Sequence, residues 1–196
     1  VMKTTTRMLR AILIFVFLLE GSQTLLAQTS TLPTQDVCVG SLLEPYLINP
    51  PTTGSTYQWT LSSGGSIVSG QGSDAIFINW GTVSGGPHIL SIVETDAVGC
   101  IGPPETVEVT LIDAAIADAG LADDVCEGST YTLGGTSASN YSTIDWASSG
   151  TGTWTNGTTL TPTYDPSAAD ILAGSVILTL TAYGNTPCSD VTSPMV

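Results

Sequence analysis

The sequence predicts an all-β protein: two immunoglobulin-like β-sandwich domains in tandem, behind an N-terminal signal peptide. Three observations carry that expectation. A cysteine-centred hexapeptide, DVCVGS at Asp36 to Ser41, returns almost unchanged as DVCEGS at Asp124 to Ser129. The four cysteines keep equal steps, 100 − 38 = 62 and 188 − 126 = 62, so the two pairs are offset by 88. A fixed period of this kind marks an internal duplication. Finally, short β-branched and aromatic stretches alternate with Gly-, Pro-, Asn- and Ser-rich turn clusters, the texture of a sandwich.

At the N-terminus, Lys3, Arg7 and Arg10 precede the apolar run Ala11 to Leu19 and the small-residue stretch GSQTLLAQ. This is the order of a signal peptide, residues 1–27, with cleavage expected between Ala27 and Gln28. Nine apolar residues ended by Glu20 fall well short of the ~20 that span a bilayer, so no membrane insertion is expected after cleavage. The remaining chain is expected to fold as domains 28–113 and 114–196.

Strands are expected at AIFINW (Ala75 to Trp80), ILSIV (Ile89 to Val93), TVEVTLI (Thr106 to Ile112) and SVILTLTAY (Ser175 to Tyr183). In TVEVTLI, Val107, Val109 and Leu111 alternate with Thr and Glu, the period of a half-buried strand. Turns are expected at Asn49-Pro50-Pro51, Ser63-Gly64-Gly65, Gly85-Gly86-Pro87 and Asn156-Gly157, the last favouring a two-residue hairpin. PSAADILAG (Pro166 to Gly174) reads as one helical turn, with Ser167 as cap and Asp170 at the third position of a capping box. Trp59 in TYQWTL and Trp146 in TIDWAS follow their cysteines at similar spacing and are expected to cover the two cores. Trp154, in GTGTWTNGT, is placed close to a hairpin tip, where an exposed ring would stack on a sugar.

Four cysteines allow three connectivities. The equal spacing favours Cys38–Cys100 and Cys126–Cys188, each closing its own repeat and each contributing about 4 kcal/mol in the chain-entropy model. Close C-x-x-C pairs of a zinc site are absent. Such bonds need an oxidising compartment, in agreement with export.

The formal charge is −14, and the three basic residues all lie in the expected signal peptide. Of 17 acids only Glu20 leaves with it, so the mature chain carries 17 − 1 = 16 acids and no Lys or Arg. Nucleic acid binding, which neutralises phosphates with Lys and Arg, is excluded, and so is attraction to anionic lipid. Asp113, Asp118, Asp123 and Asp124 cluster in DAAIADAGLADD, between the repeats. With Glu94 or Asp96 they form a candidate calcium site, since Ca²⁺ takes six to eight oxygen ligands. His88 is the single histidine, and no nucleophile elbow, P-loop or dinucleotide-binding glycine pattern accompanies it. The reading is not an enzyme, with no catalytic residue assigned.

The stretches VCVGS, STYQWTL, SGQGSDAIFINWG and IVETDAVGCIGPPETVEVTL resemble the PKD-like repeats of large secreted bacterial surface proteins, especially gliding-associated adhesins exported by type IX secretion. The second half, through DVCEGS and YDPSAADILAGS, is similar to a companion Ig-like repeat of the same proteins. The resemblance implies an extracellular array of sandwich modules, secreted or held at the bacterial surface, with no catalytic residues. Its partners would be further repeats of the same chain and a glycan or other surface ligand. Because only SDVTSPMV follows Cys188, the second repeat is expected to stop inside its last strand. The alternative reading is a carbohydrate-binding or spacer module of a secreted polysaccharide-degrading enzyme.

Overall fold

A computed structural model describes residues 34–196 and, as backbone alone, the short strands Ile12–Ile14 and Gln28–Ser30. The expected signal peptide lies outside the described residues except for Ile12–Ile14. The chain divides into two compact units, Val1–Ile112 and Asp113–Val196.

The first unit has strands β1 (Ile12–Ile14), β2 (Gln28–Ser30), β3 (Thr34–Cys38), β4 (Glu44–Ile48), β5 (Thr56–Leu61), β6 (Gly65–Ser69), β7 (Ala75–Trp80), β8 (Gly85–Thr95) and β9 (Glu105–Ile112). They form two sheets, in the orders β2-β1-β4-β7-β6 and β3-β9-β8-β5. Every pairing is antiparallel except β3 with β9, which run parallel from Thr34↔Glu108 to Cys38↔Ile112. The period-2 pattern of the sequence decides which residues meet between the sheets. Tyr57 and Trp59 from β5, Ile76, Ile78 and Trp80 from β7, Leu90 and Ile92 from β8, and Val107, Val109 and Leu111 from β9 form one buried core. Their strand neighbours Gln58, Phe77 and Glu108 are exposed. Trp80, which the sequence left unassigned, is a core residue only 3% exposed.

The second unit contains β10 (Ile116–Asp118), β11 (Tyr131–Thr132), β12 (Ser137–Ser139), β13 (Tyr141–Ser148), β14 (Thr153–Thr155), β15 (Thr163–Asp165), α1 (Ala168–Ala173), β16 (Leu178–Gly184) and β17 (Val191–Met195). Three small sheets result: β10-β12, β11-β15-β14 and β13-β16-β17. The core gathers Leu133, Ile144, Trp146, Tyr164, Leu178, Leu180, Ala182 and Met195. The last strand is formed, pairing with β16 from Leu178↔Met195 to Ala182↔Val191. It is five residues long where β9 has eight.

The duplication is visible in how each tryptophan is held. Trp59 lies opposite Ile92 and donates its indole N–H to the Ser73 carbonyl at 2.9 Å. Trp146 lies opposite Leu180 and donates to the Thr159 carbonyl at 3.1 Å. In both units the strand carrying the tryptophan buries the ring, and a later loop supplies the acceptor that a buried indole N–H requires.

That loop explains one departure from expectation. Asn156 adopts a left-handed conformation, φ 57°, and a turn closes from Thr159 N–H to the Asn156 carbonyl. The connection from β14 to β15 is nevertheless the seven residues 156–162, not a two-residue hairpin. Its backbone is used to cover Trp146, whose main-chain N–H bonds the Gly157 carbonyl and whose indole bonds Thr159.

Candidate functional site

The cysteines are arranged differently from the expectation. Cys100 and Cys126 are free and exposed, while Cys38 and Cys188 are in the disulfide-bonded state. Neither within-repeat pair is formed, and the geometry shows why. Cys38 ends β3 opposite Ile112, the last residue of β9, whereas Cys100 sits in the turn that precedes β9, beside the Thr95↔Ile101 bridge. The eight residues of β9 separate the two positions, about 23 Å at ~3.3 Å per residue. A disulfide needs Cα atoms within about 7 Å.

The second unit repeats the situation. Cys188 follows Gly184 in the turn after β16 and is buried, its Sγ 3.6 Å from the Asp113 carbonyl oxygen. Cys126 lines an open depression of about 470 Å³ together with Leu178 and Met195, at the other end of the β16–β17 pair. Equal sequence spacing therefore reflects equal placement at opposite poles of a module, and not a bond within it.

The aspartates do not converge. Among the described residues no group of three or more His, Cys, Asp or Glu side chains is placed to hold a metal ion. Asp118 belongs to β10, and its carboxylate accepts from Gly120 N–H at 2.9 Å. Asp123 accepts from Asp124 N–H at 2.9 Å, and Asp113 opens the second unit with its side chain exposed. Asp96 closes the turn around Cys100 by accepting from Val98 N–H at 3.0 Å and Cys100 N–H at 2.8 Å. The carboxylates of Asp96, Asp118 and Asp123 satisfy local backbone donors, the ordinary use of Asp in turns.

Trp154 is half-buried. Its ring lies 4.8 Å from Tyr164 and 5.8 Å from Trp146, centroid to centroid, packed against the second core. The strand β14 turns it inward because Trp154 pairs directly with Tyr164, so both rings share one face. His88 is half-buried at the start of a strand segment, its Nδ1 2.9 Å from Ser63 Oγ and its ring 6.2 Å from that of Trp80.

Three polar constellations escaped the sequence reading. The first is Glu44, inward-facing on β4 beside Tyr46 and only 9% exposed. Burial raises its carboxyl from 4.5 to about 7. The same burial, with Glu44 nearby, pushes the Tyr46 hydroxyl up. The alternation Glu44, Tyr46, Ile48 placed an acid on an apolar face and was the available signal. The second is Gln71, whose side-chain amide accepts from Trp59 N–H at 2.8 Å and donates to the Trp59 carbonyl at 2.7 Å. It substitutes for a neighbouring strand at that residue. The third centres on Asp170. The expected capping box is present, with Ser167 as N-cap. Asp170 also accepts from Thr151 N–H at 2.8 Å and from the Tyr164 hydroxyl at 2.8 Å, reaching out of the helix to pin β15 and the loop before β14. These donors, the Thr151 N–H foremost, hold its carboxyl far below the usual carboxylate range.

Comparison with known proteins follows the same lines. Residues 25–100 match the PKD-like domain family, a stretch within the first unit. No curated protein matches the chain in sequence. Among solved structures, the chain is similar to the D00-D0 domain of intimin at 14% identity, over 83% of this chain and 96% of that one, with a TM-score of 0.35. It is also similar to chicken VE-cadherin EC1-2, at 12% identity over 85% and 98%, with a TM-score of 0.30. For Drosophila N-cadherin EC1-3 the figures are 13%, 83% and 62%, with a TM-score of 0.29. At these scores the likeness carries no argument; the fold rests on the strands described above and on the PKD-like match. The class so defined is an all-β protein whose first unit contains a match to the PKD-like domain.

Proposed function

We propose that this chain is a non-catalytic extracellular segment of a bacterial cell-surface adhesin, exported through its signal peptide and serving as a spacer or adhesion module. The observation that supports it most directly is a PKD-like sandwich followed by a second sandwich that holds its tryptophan in the same way. Modules in series, each with its own core, are suited to carrying a binding surface outward from a cell. A mature chain without Lys or Arg offers trypsin-like proteases no cleavage site, an advantage for an exposed fibre. Export by the type IX route and a role in gliding-associated adhesion are part of the same proposal.

The test is immunolabelling of the producing bacterium with antibody raised against residues 34–196, on intact and on permeabilised cells. Labelling of intact cells supports the assignment, and labelling confined to permeabilised cells overturns it. A glycan array probed with the exported chain then separates the two roles. Binding that survives Trp154→Ala identifies an adhesion surface elsewhere, binding lost in a Trp154→Ala chain that keeps the wild-type circular dichroism spectrum and melting temperature returns the carbohydrate-binding alternative, and no binding by the wild type leaves the spacer role.

A further inference from the structure

We propose that the depression in the second unit is a strand-accepting site, which binds an extended segment of another polypeptide carrying a Leu-like residue at its centre and Lys or Arg at its ends. The first unit shows what such a site takes. There Asp36, Val37 and Cys38 pair in parallel with Thr110, Leu111 and Ile112 at the end of β9. On its other edge β9 pairs antiparallel with β8, Val109 with His88 and Leu111 with Gly85. Val37, opposite Leu111, is only 3% exposed.

The second unit keeps the same framework. Leu178 pairs with Met195 as Leu90 pairs with Val107, both shifted by the period of the duplication, 178 − 90 = 88 and 195 − 107 = 88. Ala119 donates its N–H to Ser193 Oγ at a separation of 74, the offset at which β3 runs beside β9, 108 − 34 = 74. By the period, the counterparts of Val109 to Ile112 fall at positions 109 + 88 = 197 to 112 + 88 = 200. By the offset, residues 124–126 face positions 124 + 74 = 198 to 126 + 74 = 200. Among the described residues no strand runs along that line: Asp124, Val125 and Cys126 belong to no strand, and Val125 is 42% exposed. The depression of about 470 Å³ lies there instead, lined by Val125 and Cys126, by Ser175 and Val176, which are the counterparts of Pro87 and His88 on β8, and by the buried Leu178 and Met195. Both neighbours that hold β9 in the first unit therefore have counterparts here, around one open space.

That geometry sets the chemistry of the occupant. Strand addition draws its affinity from backbone pairing and its specificity from alternate side chains. The residue opposite Val125 has to be apolar, because its counterpart Leu111 is 1% exposed in the first core. Charge selects the flanks. Asp123, Asp124 and Glu127 are exposed and line the same depression, and residues 28–196 hold no Lys or Arg to neutralise them. A second copy of this acidic chain is repelled there, whereas Lys or Arg beside the apolar residue is drawn in. The site is a property of the second unit alone and holds whether or not the chain is exported.

The probe is the peptide Lys-Val-Thr-Leu-Ile-Lys, a copy of residues 109–112 between lysines, carrying a fluorophore and titrated with the purified full chain. Anisotropy should show saturable binding, and amide chemical-shift changes should fall on residues 124–126 and 175–176. Replacing the peptide's leucine with aspartate, or its lysines with glutamate, should weaken binding about tenfold or more. Val125→Asp, at an exposed position, should do the same while the melting temperature stays that of the wild type. A chain lengthened after Val196 by Val-Thr-Leu-Ile, which supplies the strand from its own backbone, should not bind the peptide. The proposal is overturned by no saturable binding, by equal binding of the leucine and aspartate peptides or of the lysine and glutamate peptides, or by shift changes confined to other residues. A Val125→Asp chain that binds like the wild type, or a lengthened chain that still binds, overturns it equally.

Discussion

Glu44 makes stability depend on pH in a direction set by burial. Its carboxyl ionises near 4.5 in the unfolded chain and near 7 in the folded one. Below pH 4.5 the group is neutral in both states and imposes no cost. Between pH 4.5 and 7 the unfolded chain releases the proton and the folded chain keeps it, so stability falls as pH rises. Above pH 7 both states are ionised and the whole penalty is present. The difference, 7 − 4.5 = 2.5 in pKa, corresponds to at most about 3 kcal/mol at 1.36 kcal/mol per decade. Solvent that still reaches the carboxylate reduces this to about 2 kcal/mol. Urea unfolding of the wild type and Glu44→Gln at intervals from pH 4 to pH 8 isolates this group from the other acids. The wild type should lose about 2 kcal/mol more than the variant across that range. Parallel pH profiles for the two proteins would refute the reasoning, because the glutamine has no proton to exchange.

Other expectations follow from single contacts. Gln71→Ala removes both hydrogen bonds to the Trp59 backbone and should cost about 2 kcal/mol in chemical denaturation. Gly174 ends α1 at φ 79° and donates back to the Asp170 and Ile171 carbonyls; Gly174→Ala should lower stability by about 1 kcal/mol. Tyr164→Phe deletes the hydroxyl that accepts from Gly152 N–H and donates to Asp170, at a cost of about 2 kcal/mol, with the capping box left intact. Added sodium chloride should raise the melting temperature by screening repulsion among the acids, and a melting temperature flat with salt would contradict that account.

The alternation of Val107, Val109 and Leu111, of Ile76, Ile78 and Trp80, and of Tyr57 and Trp59 is legible in the sequence alone, because a strand's two faces are written in period 2. The capping box of Ser167 and Asp170 is legible for a similar reason, since both ends of that interaction lie within one turn. Residues whose partners are distant in the chain are not. Gln71 gives no local sign that its amide completes the backbone of Trp59, and Trp154 reads as a hairpin-tip residue until Tyr164 is seen opposite it. The cysteines show the division most sharply. Their period of 88 is visible in the sequence and establishes the duplication, yet spacing carries no information about which pole of a sandwich a residue occupies. Only the run of β9 and β16 decides that, by holding Cys38 from Cys100 and Cys126 from Cys188 at distances that no disulfide spans.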